Sequence, residues 1–325
     1  MKRPYQWKSD IAEMLLAFLQ EKKMTGFKYE AQERDLQHFD AYYYHSGYSG
    51  IRLTKPMLDS FIYVESARQS THYQKEIVMN HFACFLQKQG YSVYAPVIKS
   101  APAKRCSHIP YIFTRQELQR FFNAIDSYPV AKHNNRNTVD PVFFRLLYGT
   151  GLRVSEALHL RVKDVNLQEG ILTIHHAKNN KDRLIPVAQS LSKRMTDLAV
   201  KIHRFSDETA YFFPNTLQNR IDQSTIYCRF RDYLLMADIS HTAAGPRVQD
   251  LRHHFAVSCL KKWVLSGEEL TNIMPYLAAY MGHSDFRGTQ YYLRLTADLF
   301  PDIINRTEAE FGYIIPEGGW LHEGQ

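Results

Sequence analysis

Apolar residues recur at helical spacing through almost the whole chain, and one stretch changes to a two-residue period. Ile11, Met14, Leu15, Phe18 and Leu19 form one helical stripe, and Ile77, Val78, Phe82, Phe85 and Leu86 form another. Further helices are expected around residues 29–45 and 55–66, the latter with Thr54 as N-cap ahead of Pro56 in the first turn. Four or five short helices therefore precede residue 95. Later, Thr114 and Glu117 in TRQE have capping-box spacing and open a helix carrying Leu118, Phe121, Phe122 and Ile125. PVFFRLLY at 141–148 continues the pattern, GTG at 149–151 breaks it, and a helix restarts at Arg153, with Glu156 in its first turn. The period then changes: VKDVNL, GILTIHHA and DRLIPVA read as short strands, the last two joined by the polar turn Lys178-Asn179-Asn180-Lys181. Helical patterns return around 189–203, 224–237, 249–262 and 268–280. The fold class that follows is mainly α: a small helical N-terminal domain, then a mixed α+β domain with a small antiparallel sheet.

A break between the two is expected at APVIKSAPAKRCSHIP, where Pro96, Pro102 and Pro110 interrupt helices and Lys99, Lys104 and Arg105 keep the strip basic. The expected organisation is a helical domain over 1–94, a linker over 95–110 and a second domain over 111–325; a plain surface loop is the alternative for the linker. Charge supports a polyanionic partner. The chain has 325 residues, a formal net charge of +7 and a pI near 9.0. Residues 1–110 hold 15 Lys and Arg against 10 Asp and Glu, so most of the excess lies in the first third. No stretch has the roughly 18 apolar residues of a membrane span, and the polar start MKRPYQWKSD is unlike a signal peptide, so a cytoplasmic protein without membrane contact is expected. Cys84, Cys106, Cys228 and Cys259 lie far apart without CxxC spacing, which argues against disulfides and a cysteine zinc site.

Taken singly, the polar residues signal little; Arg153 alone reads as a surface or capping arginine. Their order matters more. GTGLRVSEALHLRVKDV, AKNNKDRLIPV, RVQDLRHHFAV and YMGHSDFRGTQYYLRL follow one another through the second domain. From about Thr114 to Leu295 the chain resembles the tyrosine recombinases of the phage integrase family. The helical domain before it fits the family's core-binding domain by position and character, without a motif.

The resemblance implies roles. Arg153 matches the first catalytic arginine, Glu156 the acidic residue supporting it, Lys178 the lysine of the β-hairpin, Arg252 the second arginine, and His283 the His or Trp position. Tyr292, nine residues after His283, matches the nucleophile, with Tyr291 its competitor. The implied reaction is tyrosine attack on a DNA phosphodiester, giving a covalent 3′-phosphotyrosine link that a 5′-hydroxyl reverses without ATP. Two guanidiniums suit the charge gathering on the phosphate oxygens, and Lys178 would protonate the leaving 5′-oxygen. No metal and no cofactor is expected. The partners implied are duplex recombination sites, with four protomers on two sites, a monomer or dimer without DNA, and a C-shaped clamp gripping the duplex, to which Lys99, Lys104 and Arg105 would contribute.

One departure stands out. Gln249 occupies the position where the pattern H-x-L-R-H has its first histidine. Its amide can hydrogen-bond a phosphate oxygen but cannot exchange a proton. An active enzyme with Gln249 as orienter, a slowed variant and a DNA-binding relic all remain open, and a type IB topoisomerase is the alternative enzyme. His253 and His254, following Arg252, are expected to pack or hydrogen-bond locally, with His253 a supporting residue. His175 and His176 could contact DNA, yet strand-face histidines are usually structural. After the nucleophile, Leu299, Phe300, Ile303 and Ile304 make an amphipathic segment that in the family docks on a neighbouring protomer; folding back on its own domain is the alternative. Phage integration, mobile-element transposition, integron-type cassette exchange and chromosome-dimer resolution share this chemistry, and base readout depends on side-chain placement.

Overall fold

The computed structural model describes residues 5–26, 29–101, 110–131, 134–175, 182–242, 245–283 and 292. The chain divides into two compact units, residues 1–108 and 109–325.

The first unit is helical. Its helices α1 (Ala12–Met24), α2 (Glu30–His45), α3 (Lys55–Ile62) and α4 (Gln69–Lys88) turn their stripes inward. Ile11, Leu15, Phe18 and Leu19 from the first stripe meet Val78, Phe82, Phe85 and Leu86 from the second in one buried core, joined by Leu36, Phe39 and Leu58. Met14 packs half-buried at its edge, and Ile77 is half-buried. The third helix ends four residues earlier than its expected bound of 66. Tyr63 leaves helical geometry with φ −97° and ψ 62°, and its hydroxyl bonds to the buried Glu76 of α4 instead of continuing a surface turn. Thr54 occupies the N-cap position, but its side chain makes no capping hydrogen bond.

Two buried carboxylates tie down the ends of this unit. Asp40 accepts hydrogen bonds from the backbone N–H groups of Lys8 and Ser9, each at 3.0 Å, and from the hydroxyls of Ser9 and Tyr5 at 2.6 and 2.9 Å. Glu76 accepts from the backbone N–H groups of Lys99 and Ser100 at 3.2 and 2.9 Å, and from the Ser100 hydroxyl. A fully buried carboxylate needs such donors to offset its desolvation. The start of the segment read as a linker is thus held on α4: Lys99 spends its N–H there while its side chain is exposed. Lys104 and Arg105 lie outside the described residues.

In the second unit, α5 (Arg115–Asp126) opens on the expected capping box. The Thr114 hydroxyl accepts from the Glu117 N–H at 3.2 Å, and the Glu117 carboxylate accepts from the Thr114 N–H at 2.8 Å. Then come α6 (Arg136–Thr150), α7 (Val154–His159), α8 (Gln189–Ile202), α9 (Gln223–Met236), α10 (Val248–Leu265) and α11 (Leu270–Met281). Between α7 and α8 lies an antiparallel sheet in the order β1 (Val165–Asn166), β2 (Ile171–Ile174), β3 (Arg183–Pro186). Its register pairs Leu172 with both Val165 and Ile185. Most of VKDVNL does not join it. Val162–Asp164 form a 3-10 turn, because the N–H groups of Val162 and Lys163 bond to the carbonyls of Ala210 and Glu208 and Asp164 caps the Arg161 N–H. Phe121, Phe143, Phe144, Phe230 and Tyr233 centre the main core, while a smaller cluster of Ala256, Val257, Leu260, Leu277 and Met281 forms between α10 and α11.

His176, on the expected strand, Lys178 with its expected turn, and everything beyond His283 except Tyr292, including the segment from Leu299 onward, lie outside the described residues. Cys84, Cys228 and Cys259 are free thiols. Among the described residues no helix is long and apolar enough to cross a membrane.

Candidate active site

Gly151 ends α6 in the left-handed region at φ 60°, where a Cβ would meet the Phe255 ring at 2.6 Å. Glycine permits both the conformation and the close approach. The sharp exit puts Arg153 at the N-cap of α7, and Glu156 bonds back to the Arg153 N–H at 2.9 Å. Glu156 also accepts from the Arg153 guanidinium at 2.7 Å. This is the arrangement expected for the pair.

At the other side of the site, α11 ends on Gly282, again left-handed at φ 66°. Its carbonyl accepts from the Arg153 guanidinium at 3.1 Å. Arg252, one turn into α10 and only 2% exposed, reaches across both breaks. It donates to the Gly151 carbonyl, to the Met281 carbonyl at 2.7 Å and to His283 Nε2 at 3.0 Å. Since a guanidinium has no acceptor, His283 accepts through Nε2. Burial lowers the Arg252 pKa to about 10, with the neighbouring Arg153 and Arg183 acting in the same direction, so it stays charged near neutrality.

Tyr292 is 3% exposed and packs into the cluster between α10 and α11. Its phenol oxygen lies 3.1 Å from His253 Nδ1, and its ring stacks at 6.0 Å on His283. Burial raises its pKa, while the charge and hydrogen bond of Arg252 and the charge of Arg153 work against that rise. Arg153, Glu156, Arg252, His283 and Tyr292 thus meet in one place, drawn from α7, α10, the end of α11 and the segment beyond.

Gln249 sits on the first turn of α10 with an exposed side chain. His253 faces the tyrosine, whereas His254 is half-buried, stacks on Tyr148 at 5.5 Å and is kept towards its neutral form by burial. His175 is held between Asp164 at 3.3 Å and Asp182 at 2.9 Å, and the Asp182 hydrogen bond raises its pKa.

A residue that sequence reasoning passed over belongs to the site. Arg183, at the start of β3, places its guanidinium on Glu156 at 3.1 and 2.8 Å and donates to the Tyr280 carbonyl at 3.0 Å. The signal was present in KDRLIPV, where a charged residue opens an otherwise apolar strand; its partner, 27 residues earlier, leaves no local periodicity.

A family model described as the phage integrase family matches residues 112–298. The putative integrase/recombinase y4rB of Sinorhizobium fredii is 26% identical over 303 residues, covering 90% of this chain and 95% of that protein. Tyrosine recombinase XerA of Pyrococcus furiosus is 30% identical over 201 residues, 61% of this chain and 62% of that protein, short of two thirds of its length. Among solved structures, the XerH site-specific recombinase bound to palindromic difH substrate, a post-cleavage complex, superposes with a TM-score of 0.62. That match covers 97% of this chain and all of the other at 17% identity, and so speaks for the fold alone.

Proposed function

The chain belongs to the phage integrase family, whose members cut and rejoin DNA, and from that premise we propose a site-specific recombinase acting through a covalent 3′-phosphotyrosine intermediate. The observation that carries this reading is the placing of the Tyr292 phenol beside Arg252, itself tied to His283 and to the loop that carries Arg153. A phosphodiester lying between the two guanidiniums has its non-bridging oxygens against fixed cations and its phosphorus within reach of the phenol oxygen. Charge gathering on the pentavalent phosphate then meets donors that need no reorganisation.

The Tyr292 oxygen bonds to phosphorus, the bond to the 5′-oxygen breaks, and Lys178, in the sequence between β2 and β3, gives that oxygen its proton. Reversal by a 5′-hydroxyl of another strand rejoins the DNA. Glu156 holds Arg153 in register, and the fixed arginines do the charge neutralisation without a metal or other cofactor. The substrates are two duplex sites, with Lys99, Lys104 and Arg105 along the backbone and four protomers in the assembly, on DNA of the cytoplasm and its mobile elements.

The test is a two-site recombination assay run beside a plasmid relaxation assay, both in EDTA. Recombinant product in the chelator supports the reading. Relaxation without recombination points to a topoisomerase, and activity that vanishes with EDTA and returns with magnesium defeats the metal-free account.

A further inference from the structure

We propose that His253 is the proton acceptor for the Tyr292 nucleophile, supplying from the next turn of α10 the basic group that Gln249 cannot. The inference rests on the reading of Tyr292 as nucleophile. Positions 249 and 253 are four apart on one helix, so their side chains share a face. An amide at 249 takes up no proton, and that side chain is exposed. An imidazole at 253 does take one, and its Nδ1 stands 3.1 Å from the phenol oxygen, within the range for general-base transfer.

Among the described residues, the groups around the phenol narrow the choice. Arg252 and Arg153 carry only donors. His283 uses Nε2 to accept from Arg252. Glu156 is engaged by Arg183 and Arg153 through both oxygens. Asp250 acts on Tyr292 as a nearby charge and binds the Arg247 N–H at 2.7 Å. The phenol itself is made a weaker acid by burial, which increases the need for an acceptor.

With its own proton on Nε2, His253 receives the phenol proton at Nδ1 as the Tyr292 oxygen bonds to phosphorus. The bond from phosphorus to the 5′-oxygen breaks, and that oxygen takes its proton from Lys178. Rejoining runs backward: the 5′-hydroxyl gives its proton to Lys178 and attacks phosphorus, and the departing phenolate regains a proton from the His253 imidazolium.

The test is single-turnover cleavage of a duplex cut from the DNA flanking the gene where adducts map, made once with an ordinary phosphodiester and once with a 5′-bridging sulfur. A thiolate leaves without a proton, so the sulfur substrate relieves loss of the acid but not loss of the base. Expected are His253→Ala and His253→Asn cleaving the ordinary duplex about 10²-fold slower and remaining slow with sulfur, while Lys178→Ala regains its rate. Adding Gln249→His to His253→Ala should recover about tenfold. His253→Asn cleaving within about threefold of the parent, or relieved by sulfur as fully as Lys178→Ala, overturns the inference; the Asn variant keeps the packing that Ala removes. Adducts persisting in Tyr292→Phe would instead remove the nucleophile reading beneath it.

Discussion

Arg183 and Glu156 face each other as a two-pronged ion pair, guanidinium N–H groups at 3.1 and 2.8 Å from the two carboxylate oxygens, with their side chains 11% and 7% exposed. Because Glu156 also holds Arg153, the pair connects β3 to the Arg153 guanidinium. The small sheet thereby bears on the site, since Arg183 at the start of β3 helps set where the Arg153 guanidinium stands.

Replacing Arg183 by Lys keeps the charge but loses the fork and the bond to the Tyr280 carbonyl. Displacing a catalytic group by about 1 Å can cost on the order of 10²-fold in rate. Arg183→Lys should therefore slow single-turnover cleavage by about 10- to 100-fold while leaving DNA affinity nearly unchanged. A loss confined to binding would contradict a positioning role.

For Glu156, burial alone would raise the carboxyl pKa, but the hydrogen bonds and charges of Arg183 and Arg153 outweigh it and hold the group below the ordinary carboxylate range. A depressed folded-state pKa gives stability that is present above the unfolded value, about 4.3, and is lost as pH falls through the folded value. Glu156→Gln should cost about 3 kcal/mol near neutral pH, with the gap to the parent narrowing below about pH 4. Urea unfolding at several pH values measures this; a gap that stays constant into acid would refute it.

Gly282 has no room for a side chain. A Cβ there would stand 2.7 Å from Arg183 Nη1, and the residue is left-handed at φ 66°. Gly282→Ala should lose about 1–2 kcal/mol from backbone conformation alone. It should also slow cleavage, since Arg183 must shift and the Gly282 carbonyl anchors Arg153. Denaturant unfolding together with the cleavage rate checks both; full stability and full rate would show that the turn tolerates a Cβ.

Much of this was legible because it is local. The stripes that begin at Ile11 and Ile77, the Thr114–Glu117 box and the switch to strands before Ile171 are patterns that physical chemistry repeats over short distances. The site strings were legible as strings, and Arg153, Glu156, Arg252, His283 and Tyr292 do converge. What escaped depended on distance in sequence. Tyr63 leaves its helix for a carboxylate 13 residues away, Val162 and Lys163 bond to a loop near residue 210, and Arg183 meets Glu156 across 27 residues. His253 showed its place only once the chain had folded Tyr292 back against α10.

The central claim is that Tyr292 is the nucleophile within the Arg153 and Arg252 clamp. Denaturing gel analysis of the protein after incubation with labelled flanking DNA tests it most directly, comparing the parent with Tyr292→Phe and Tyr291→Phe. The account predicts a covalent protein–DNA adduct with the parent and with Tyr291→Phe, and none with Tyr292→Phe, which should still shift the same DNA in a native gel. Adducts that persist in Tyr292→Phe and disappear in Tyr291→Phe would contradict it.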